Sequence, residues 1–284
     1  MSHGNSSLND LAVVDCAFVA ATLTDTGTER DHNEDSSGVL AESDTCGVVV
    51  VADGVSSGEG GEVASQMAVE VTLRAFQEEP RDRPAGQRLY RAVQQANIEV
   101  YDRSVIVTPL RGMSTTLTAV AIDRGELTAV HVGDSRLYLI RDGAIEQLTR
   151  DHTVAADKAR FGLISEERAR NHPDKSTLTR CLGRDLIVNR DRLVHQLQQH
   201  DVLMMCSDGL YNILPEKEIL ALACKPDVEE ASRALVEATN RIGSYDNVTA
   251  AVIRMVGPIT APAKKAGLAG LASRLIGRFA AKTG

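Results

Sequence analysis

Residues 46–54 read Cys46-Gly-Val-Val-Val-Val-Ala-Asp-Gly54, an apolar run that stops abruptly at a carboxylate and a glycine. A strand with one wet face would alternate apolar and polar residues. Here neither face is polar, which predicts a strand over Cys46–Ala52 covered on both sides. Asp53 and Gly54 then fall where the chain reaches the edge of a sheet. The same ending recurs: Val202–Cys206 (VLMMC) leads through Ser207 to Asp208-Gly209, and AVHVG (129–133) leads to Asp134-Ser135. Asp246 and Asn247 stand instead just before an apolar run, in NVTAAVIRMV (247–256). Cys16–Thr24, Thr115–Ile122 and Glu126–Val132 read as further strands. Hairpins are predicted at Asp123-Arg-Gly125 and at Asp142-Gly143, between LYLIR and AIEQL.

Helical spacing is clearest in three segments. Glu62–Glu79 carries Val63, Met67, Val71 and Ala75 four residues apart and stops at Pro80. Arg88–Arg103 places Leu89, Val93, Ala96 and Val100 on one face. Asp227–Ile242 places Val228, Ala231, Leu235 and Ala238 on one face, and Gly243 closes it. A β-rich centre flanked by helices, without strict β-α-β alternation, predicts an α+β sandwich with helices outside.

The 284 residues suffice for a full core, and the proportions of apolar (43%) and charged (25%) residues are those of a soluble globular protein. The net charge of −8 argues against a nucleic-acid partner, because phosphate backbones are held by Lys and Arg. The five cysteines are widely spaced with no Cys-x-x-Cys, which fits reduced thiols in a cytosol rather than a disulfide framework or a zinc site. No signal peptide or membrane-spanning run is seen, so a cytoplasmic monomer is the expectation. The composition shifts at Gly257. The expected organisation is therefore a flexible segment 1–14, a domain over 15–256, and a basic tail over 257–284. Within the tail, 264–282 has the makings of a short basic amphipathic helix that touches an anionic membrane or a partner. A disordered tail is the plainer reading.

Asp-Gly is a common turn, so each aspartate alone reads as local chain reversal. Together they need another account, because carboxylates at one rim repel unless cations join them. The segment Thr24–Asp35, TDTGTERDHNED, adds five acidic residues and one arginine. His and Cys lack zinc spacing, and an all-oxygen set suits hard ions such as Mn²⁺ or Mg²⁺. Two such ions can activate a shared water. Arg30, with its planar fork, suits phosphate. Phosphoester hydrolysis at a dinuclear metal site follows. Gly58-Glu-Gly-Gly-Glu-Val-Ala lacks the Lys-Ser/Thr of a P-loop, no G-x-S-x-G is present, and no cysteine sits in a phosphate loop.

With these residues assembled, the chain resembles the metal-dependent protein phosphatases, the type 2C (PPM) serine/threonine family, in its bacterial form. The resemblance spans about Ala20–Met255 and rests on motifs in order: TDTGTERDHNED, VVVADG with GGEVAS, MSTTLTAVAI, HVGDSRLYLIRDG, LTRDHTV, LTRCLG, MMCSDGLYN and YDNVTAAVI. It implies a four-layer α/β/β/α sandwich of two antiparallel sheets. It also implies hydrolysis of phosphoserine and phosphothreonine in proteins by a water bridging two metal ions, with no phosphoenzyme. By the same resemblance Arg30 binds the phosphate and Asp53 bridges the metals. Glu34, Asp35, the Gly54 carbonyl, Asp208 and Asp246 join the metal shell, Asn247 supports Asp246, and Asp134 with Asp208 holds a third, weaker ion. The implied partners are phosphorylated proteins and a cognate serine/threonine kinase.

The chain departs from the family pattern at Val55, where many eukaryotic members carry a histidine proposed as general acid. His32 is the nearest candidate in sequence, but an exposed loop imidazole is the preferred reading; His152 is expected to order a turn. Ser56-Ser57-Gly58 lengthens the same loop. Thr153–Leu182 is expected to form the flap beside the site, with a helix starting at Ser165 on the capping pattern SEER. A catalytically silent phosphoprotein-binding module and a hydrolase of small phosphoesters are the other readings. Retention of Asp35, Asp53, Asp208 and Asp246 disfavours the silent module.

Overall fold

The computed structural model describes residues 18–43, 45–55 and 60–257. Alternation along β3 (Cys46–Val55) sets the layering: Val48, Val50 and Ala52 enter one core, Val49 and Val51 another. The first core is completed by α1 (Gly60–Glu78) and α2 (Ala85–Ile106), through Ala64, Ala68, Leu89 and Val93. The second lies between two sheets. β1 (Phe18–Asp25), β11 (Val248–Met255), β10 (Val202–Cys206), β7 (Arg136–Arg141) and β8 (Ala144–Gln147) form one sheet in that spatial order. The other runs β2 (Asp35–Ser43), β3, β5 (Leu117–Asp123), β6 (Glu126–Val132) and β9 (Asp191–Gln196), and β4 (Ser114–Thr115) adds to β3.

All pairings are antiparallel. A third core joins the outer face of the first sheet to α5 (Asp208–Tyr211), α6 (Glu216–Ala223) and α7 (Val228–Ile242), with Met204, Val252, Ile219 and Leu235 among its residues. β11 feeds both cores by period two: Ala250 and Val252 outward, Ala251 and Ile253 inward. The expected α/β/β/α sandwich is the observed one. Each fully buried Val or Leu contributes about 1.5–3 kcal/mol. Three such cores hold the strands firmly enough to carry charge at their ends.

Local signals place most boundaries. Asp227 caps α7, accepting from Glu230 N–H at 2.8 Å, and Gly243 ends it with φ +108°. Arg124-Gly125 and Asp142-Gly143 all have positive φ, as tight hairpin turns require. Ser165 caps α4 (Glu166–Arg170) through Arg168 N–H, as SEER predicts. β2, β9, α3 (Val154–Arg160), α5 and α6 were not anticipated. β2 and β9 are edge strands whose exposed residues dilute the apolar pattern.

Two strands differ instructively from expectation. Thr115–Ile122 is not one strand: β4 pairs with Gly54 and Val55, β5 pairs with Cys46–Val51, and Thr116 lies between. β3 accordingly continues to Val55, so Asp53 is a strand residue and not part of a turn. Segment 1–14, Cys16, Ser56-Ser57-Gly58 and the tail beyond Gly257 lie outside the described residues. Among those described, no helix is long and apolar enough to cross a membrane.

Candidate active site

The aspartates meet at one rim of the sandwich because the strands that carry them end there. Asp35 opens β2 and pairs in register with Asp53 of β3. From the opposite sheet, Ser207 Oγ and Thr249 Oγ1 donate to Asp35 Oδ2 at 2.6 and 2.7 Å. Asp35 is thereby locked between the sheets through Oδ2, and among the described residues Oδ1 has no hydrogen-bond partner. Asp53 is fixed through its backbone alone. Its N–H donates to Thr116 Oγ1 at 3.0 Å, and its carbonyl accepts from Thr115 Oγ1 and Thr116 N–H, both at 2.8 Å. No described side chain or backbone group hydrogen-bonds its carboxylate.

The residues around Gly54 are packed backbone to backbone. Gly54 N–H donates to Glu34 O at 3.0 Å, and a Cβ on Gly54 would run into the Gly61 carbonyl. A Cβ on Gly61 would collide with the Glu34 carboxylate, so Gly54 near the end of β3 and Gly61 in the first turn of α1 let the acidic loop close over the helix end. Asp208 opens α5, and its Oδ2 accepts from Asn212 Nδ2 at 3.1 Å. Asp134 is buried behind Gly133, which adopts φ +107°.

Asn247 stitches the rim together. Its Nδ2 donates to Thr26 O and His32 O at 2.8 and 2.9 Å, its Oδ1 accepts from Glu34 N–H at 2.8 Å, and its own N–H donates to Asp246 Oδ1 at 2.9 Å. The buried amide therefore sets the course of the whole loop 26–34. Arg30, on that loop, pairs with Asp246 Oδ1 at 2.9 Å and donates through Nε to Tyr245 O at 3.3 Å. Asp25 ends β1 and accepts from Gly27 N–H and Asn240 Nδ2, while Glu29, Asp31 and His32 are exposed. Val55 ends β3 half-exposed.

Electrostatically the rim is strained. Burial, then the neighbouring Asp208 and Asp246, push Asp35 up to about 7 despite its two hydroxyl donors. Burial and then Asp35, Asp208, Asp134 and Asp246 push Asp53 well above the carboxylate range. Asp134 rises for the same reasons, burial first and Asp208 next. Asp208 rises to about 6 through burial and Asp246, tempered by Lys175, Arg30 and Arg136. Among the described residues no three of these side chains close into a cage around one point. They are gathered but not neutralised. A desolvated carboxylate such as Asp53, without a hydrogen-bond partner among the described residues, has the profile of a cation ligand. An all-oxygen set of this kind fits hard divalent ions.

Several supporting residues were not singled out from sequence. Ser207 and Thr249 sit inside the motifs MMCSDGLYN and YDNVTAAVI, but their bond to Asp35 spans two sheets. Arg136 pairs with Asp151 at 2.7–3.2 Å and lies over the Tyr211 ring at 3.6 Å, placing a fixed positive charge behind Asp134. From the flap, Lys175 Nζ donates to Asn212 Oδ1 at 3.3 Å, next to Asp208. His152 orders the chain as expected, with Nδ1 accepting from Gly133 N–H at 3.1 Å.

Comparison with known proteins agrees with this geometry. A family profile described as protein phosphatase 2C matches residues 27–247. The serine/threonine phosphatase stp of Listeria monocytogenes is 37% identical over 81% of this chain and 93% of its own. The catalytic domain of the serine/threonine phosphatase PstP, solved in complex with two manganese ions, superposes with a TM-score of 0.74 at 32% identity. That match covers 84% of this chain and 99% of that catalytic domain. The phosphatase MsPP of Mycobacterium smegmatis, solved with cacodylate, gives a TM-score of 0.73 at 38% identity over 87% of this chain and all of the other. The chain belongs to the protein phosphatase 2C family and is a serine/threonine protein phosphatase.

Proposed function

We propose that the chain removes phosphate from phosphoserine and phosphothreonine of proteins at a dinuclear Mn²⁺ or Mg²⁺ centre, opposing a cytosolic serine/threonine kinase. Glu34, Asp35, Asp53, the Gly54 carbonyl, Asp208 and Asp246 hold the two ions, and Asp134 with Asp208 offers a weaker third position. When bound, the ions supply charge that neutralises the carboxylates and lowers the pKa of the attacking water. The observation that carries this reading is the mutual elevation of Asp35, Asp53, Asp134 and Asp208 beside an arginine. A rim so short of compensating charge is built for cations. The manganese in the PstP relative is of the expected kind.

The chain's own residues do the rest. Arg30 presents its guanidinium at the edge of the acidic rim, where two parallel N–H donors suit two phosphate oxygens. Its bond to Asp246 keeps it within reach of the same carboxylates that would hold the ions. Asn247 fixes the loop that carries it. Ser207 and Thr249 hold Asp35 in one orientation through Oδ2. The phosphatase domain is taken as 15–256, acting as a cytoplasmic monomer.

The test is phosphate release from a phosphothreonine peptide during Mn²⁺ and Mg²⁺ titration, with EDTA and Asp208→Asn as controls. Metal-dependent release that the variant loses supports the reading. Folded protein that releases nothing at any metal concentration overturns it in favour of a silent binding module.

A further inference from the structure

The flap is anchored at one histidine. Thr153–Leu182 leaves the first sheet, forms α3 and α4, and returns to the site. Its two ends are zipped together: Val154 N–H donates to Thr177 O at 2.9 Å and Thr179 N–H to His152 O at 2.8 Å. The returning end continues to Leu182, which exchanges two backbone bonds with Thr115, at 3.1 and 2.8 Å. Thr115 in turn donates its hydroxyl to Asp53 O at 2.8 Å. His152 stands where the outgoing end meets the turn of Asp134. Its backbone N–H donates to Gly133 O at 2.8 Å, and its Nδ1 accepts from Gly133 N–H at 3.1 Å. On the other side of the ring, Nε2 lies 3.2 Å from Asp191 Oδ2 and 3.1 Å from Arg180 Nη1, which itself donates to Asp191 Oδ1 at 2.9 Å. His131 packs against the ring at 4.7 Å between centroids and is held by Thr118 Oγ1 and Arg150 O.

An Nδ1 that accepts puts the proton of the neutral ring on Nε2, and that proton goes to Asp191. Each nitrogen thus serves a different task. Nδ1 holds the N–H of Gly133, the residue directly before Asp134, and Nε2 holds the returning end of the flap through Asp191 and Arg180.

We infer that His152 is a positioning residue that clamps the Asp134 turn to both ends of the flap, so that flap position and the Asp134 carboxylate are set together. The inference deepens the reading of Asp134 as a metal carboxylate and rests on it. A substrate that moves the flap then moves Asp134, and an ion at Asp134 steadies the flap.

Asparagine places an acceptor close to where Nδ1 stands, and glutamine reaches the position of Nε2, so His152→Asn and His152→Gln separate the two tasks. The full chain is titrated calorimetrically with Mn²⁺ alone, and its cleavage by trypsin after the exposed Arg160, Arg168 and Arg170 is timed. Asp134→Asn and Asp191→Asn serve as references, and thermal midpoints are recorded for all variants. Outer partners of metal ligands are worth roughly 10–100-fold in affinity. The weakest Mn²⁺ step should therefore fall about tenfold or more in His152→Gln and stay near wild type in His152→Asn. Flap cleavage should accelerate in His152→Asn and in Asp191→Asn, which leaves the buried ring intact. Two His152 variants alike in both readouts, whether both normal or both equally impaired, overturn the clamp. Unchanged Mn²⁺ binding in Asp134→Asn overturns the metal reading instead, and the flap arm still decides whether His152 holds the flap.

Discussion

Arg30 forms its ion pair with Asp246 at 2.9 Å while its side chain remains about half exposed. The guanidinium is therefore anchored at one edge and open at the other, an arrangement suited to a group that must accept an incoming phosphate. Charge-assisted hydrogen bonds contribute about 1.5–3 kcal/mol, the lower end being appropriate for an exposed group. Arg30→Ala should lower kcat/KM on a phosphothreonine peptide by about 10–30-fold, mainly through KM. Half-saturating Mn²⁺ should not rise, because the substitution removes a cation that competes for Asp246. A raised metal requirement with an unchanged KM would place Arg30 in the metal site and not on the phosphate.

Gly209 has no room for a side chain. A Cβ there would fall inside contact distance of the Asn247 carbonyl oxygen and 3.3 Å from Asp246 Cβ. Backbone is the obstacle, so α5 and the 246–247 strand entry must separate. Gly209→Ala is expected to cost about 1–3 kcal/mol, the usual range for overpacking. It should weaken Mn²⁺ binding as well, because Asp208 and Asp246 move apart. A thermal midpoint and Mn²⁺ titration matching wild type would show that the rim yields there without consequence.

Most of the rim was legible in sequence because Asp53, Asp134, Asp208 and Asp246 each abut an apolar run, and strands buried between a sheet and a helix layer have apolar residues on both faces. Val48–Val51 and Leu203–Met205 are such runs, and their endings gave Asp53 and Asp208 directly. β2 was not legible. Only Asp35 and Gly38 are buried among its first five residues, and Gly38 is bare because Leu73 and Val69 of α1 press to within 2.9 Å of where its Cβ would be. β9 alternates half-buried and exposed residues on a sheet edge, with a pattern too polar to stand out. The fixing of Asp35 by Ser207 and Thr249, and the approach of Lys175 to Asn212, join positions far apart in the chain. No local spacing announces them.

Asn247 makes three side-chain hydrogen bonds from a buried position, to Thr26 O, His32 O and Glu34 N–H. Asn247→Ala leaves these groups unpaired, at about 1 kcal/mol for each bond lost and more where water cannot replace it. A loss of about 2–4 kcal/mol in unfolding free energy is expected, read from urea denaturation. Asn247→Asp keeps the acceptor for Glu34 but loses both donors and adds charge beside Asp246, so it should be no better. Wild-type stability in both variants would mean that the 26–34 loop is held by other contacts.

Without metal, the acidic rim makes stability depend on pH in a direction opposite to that of ordinary salt-bridged carboxylates. Asp35 is raised to about 7 and Asp208 to about 6, against 3.8 for a free aspartate, with Asp53 and Asp134 also raised. Between about pH 4 and 7 the native state holds protons that the unfolded chain has released, so unfolding free energy falls as pH rises through that window. Above the folded values the penalty is complete and constant. EDTA-treated protein should therefore melt higher near pH 5.5 than near pH 7.5, and Asp53→Asn should flatten the difference by removing one of the mutually raised groups. Saturating Mn²⁺ should reverse the trend, because bound ions require the ionised carboxylates and their binding releases protons. The check is a set of thermal midpoints across this range with EDTA and with Mn²⁺. A metal-free midpoint that climbs steadily from pH 5.5 to 7.5 in wild type and Asp53→Asn alike would mean that the carboxylates are not close enough to oppose one another.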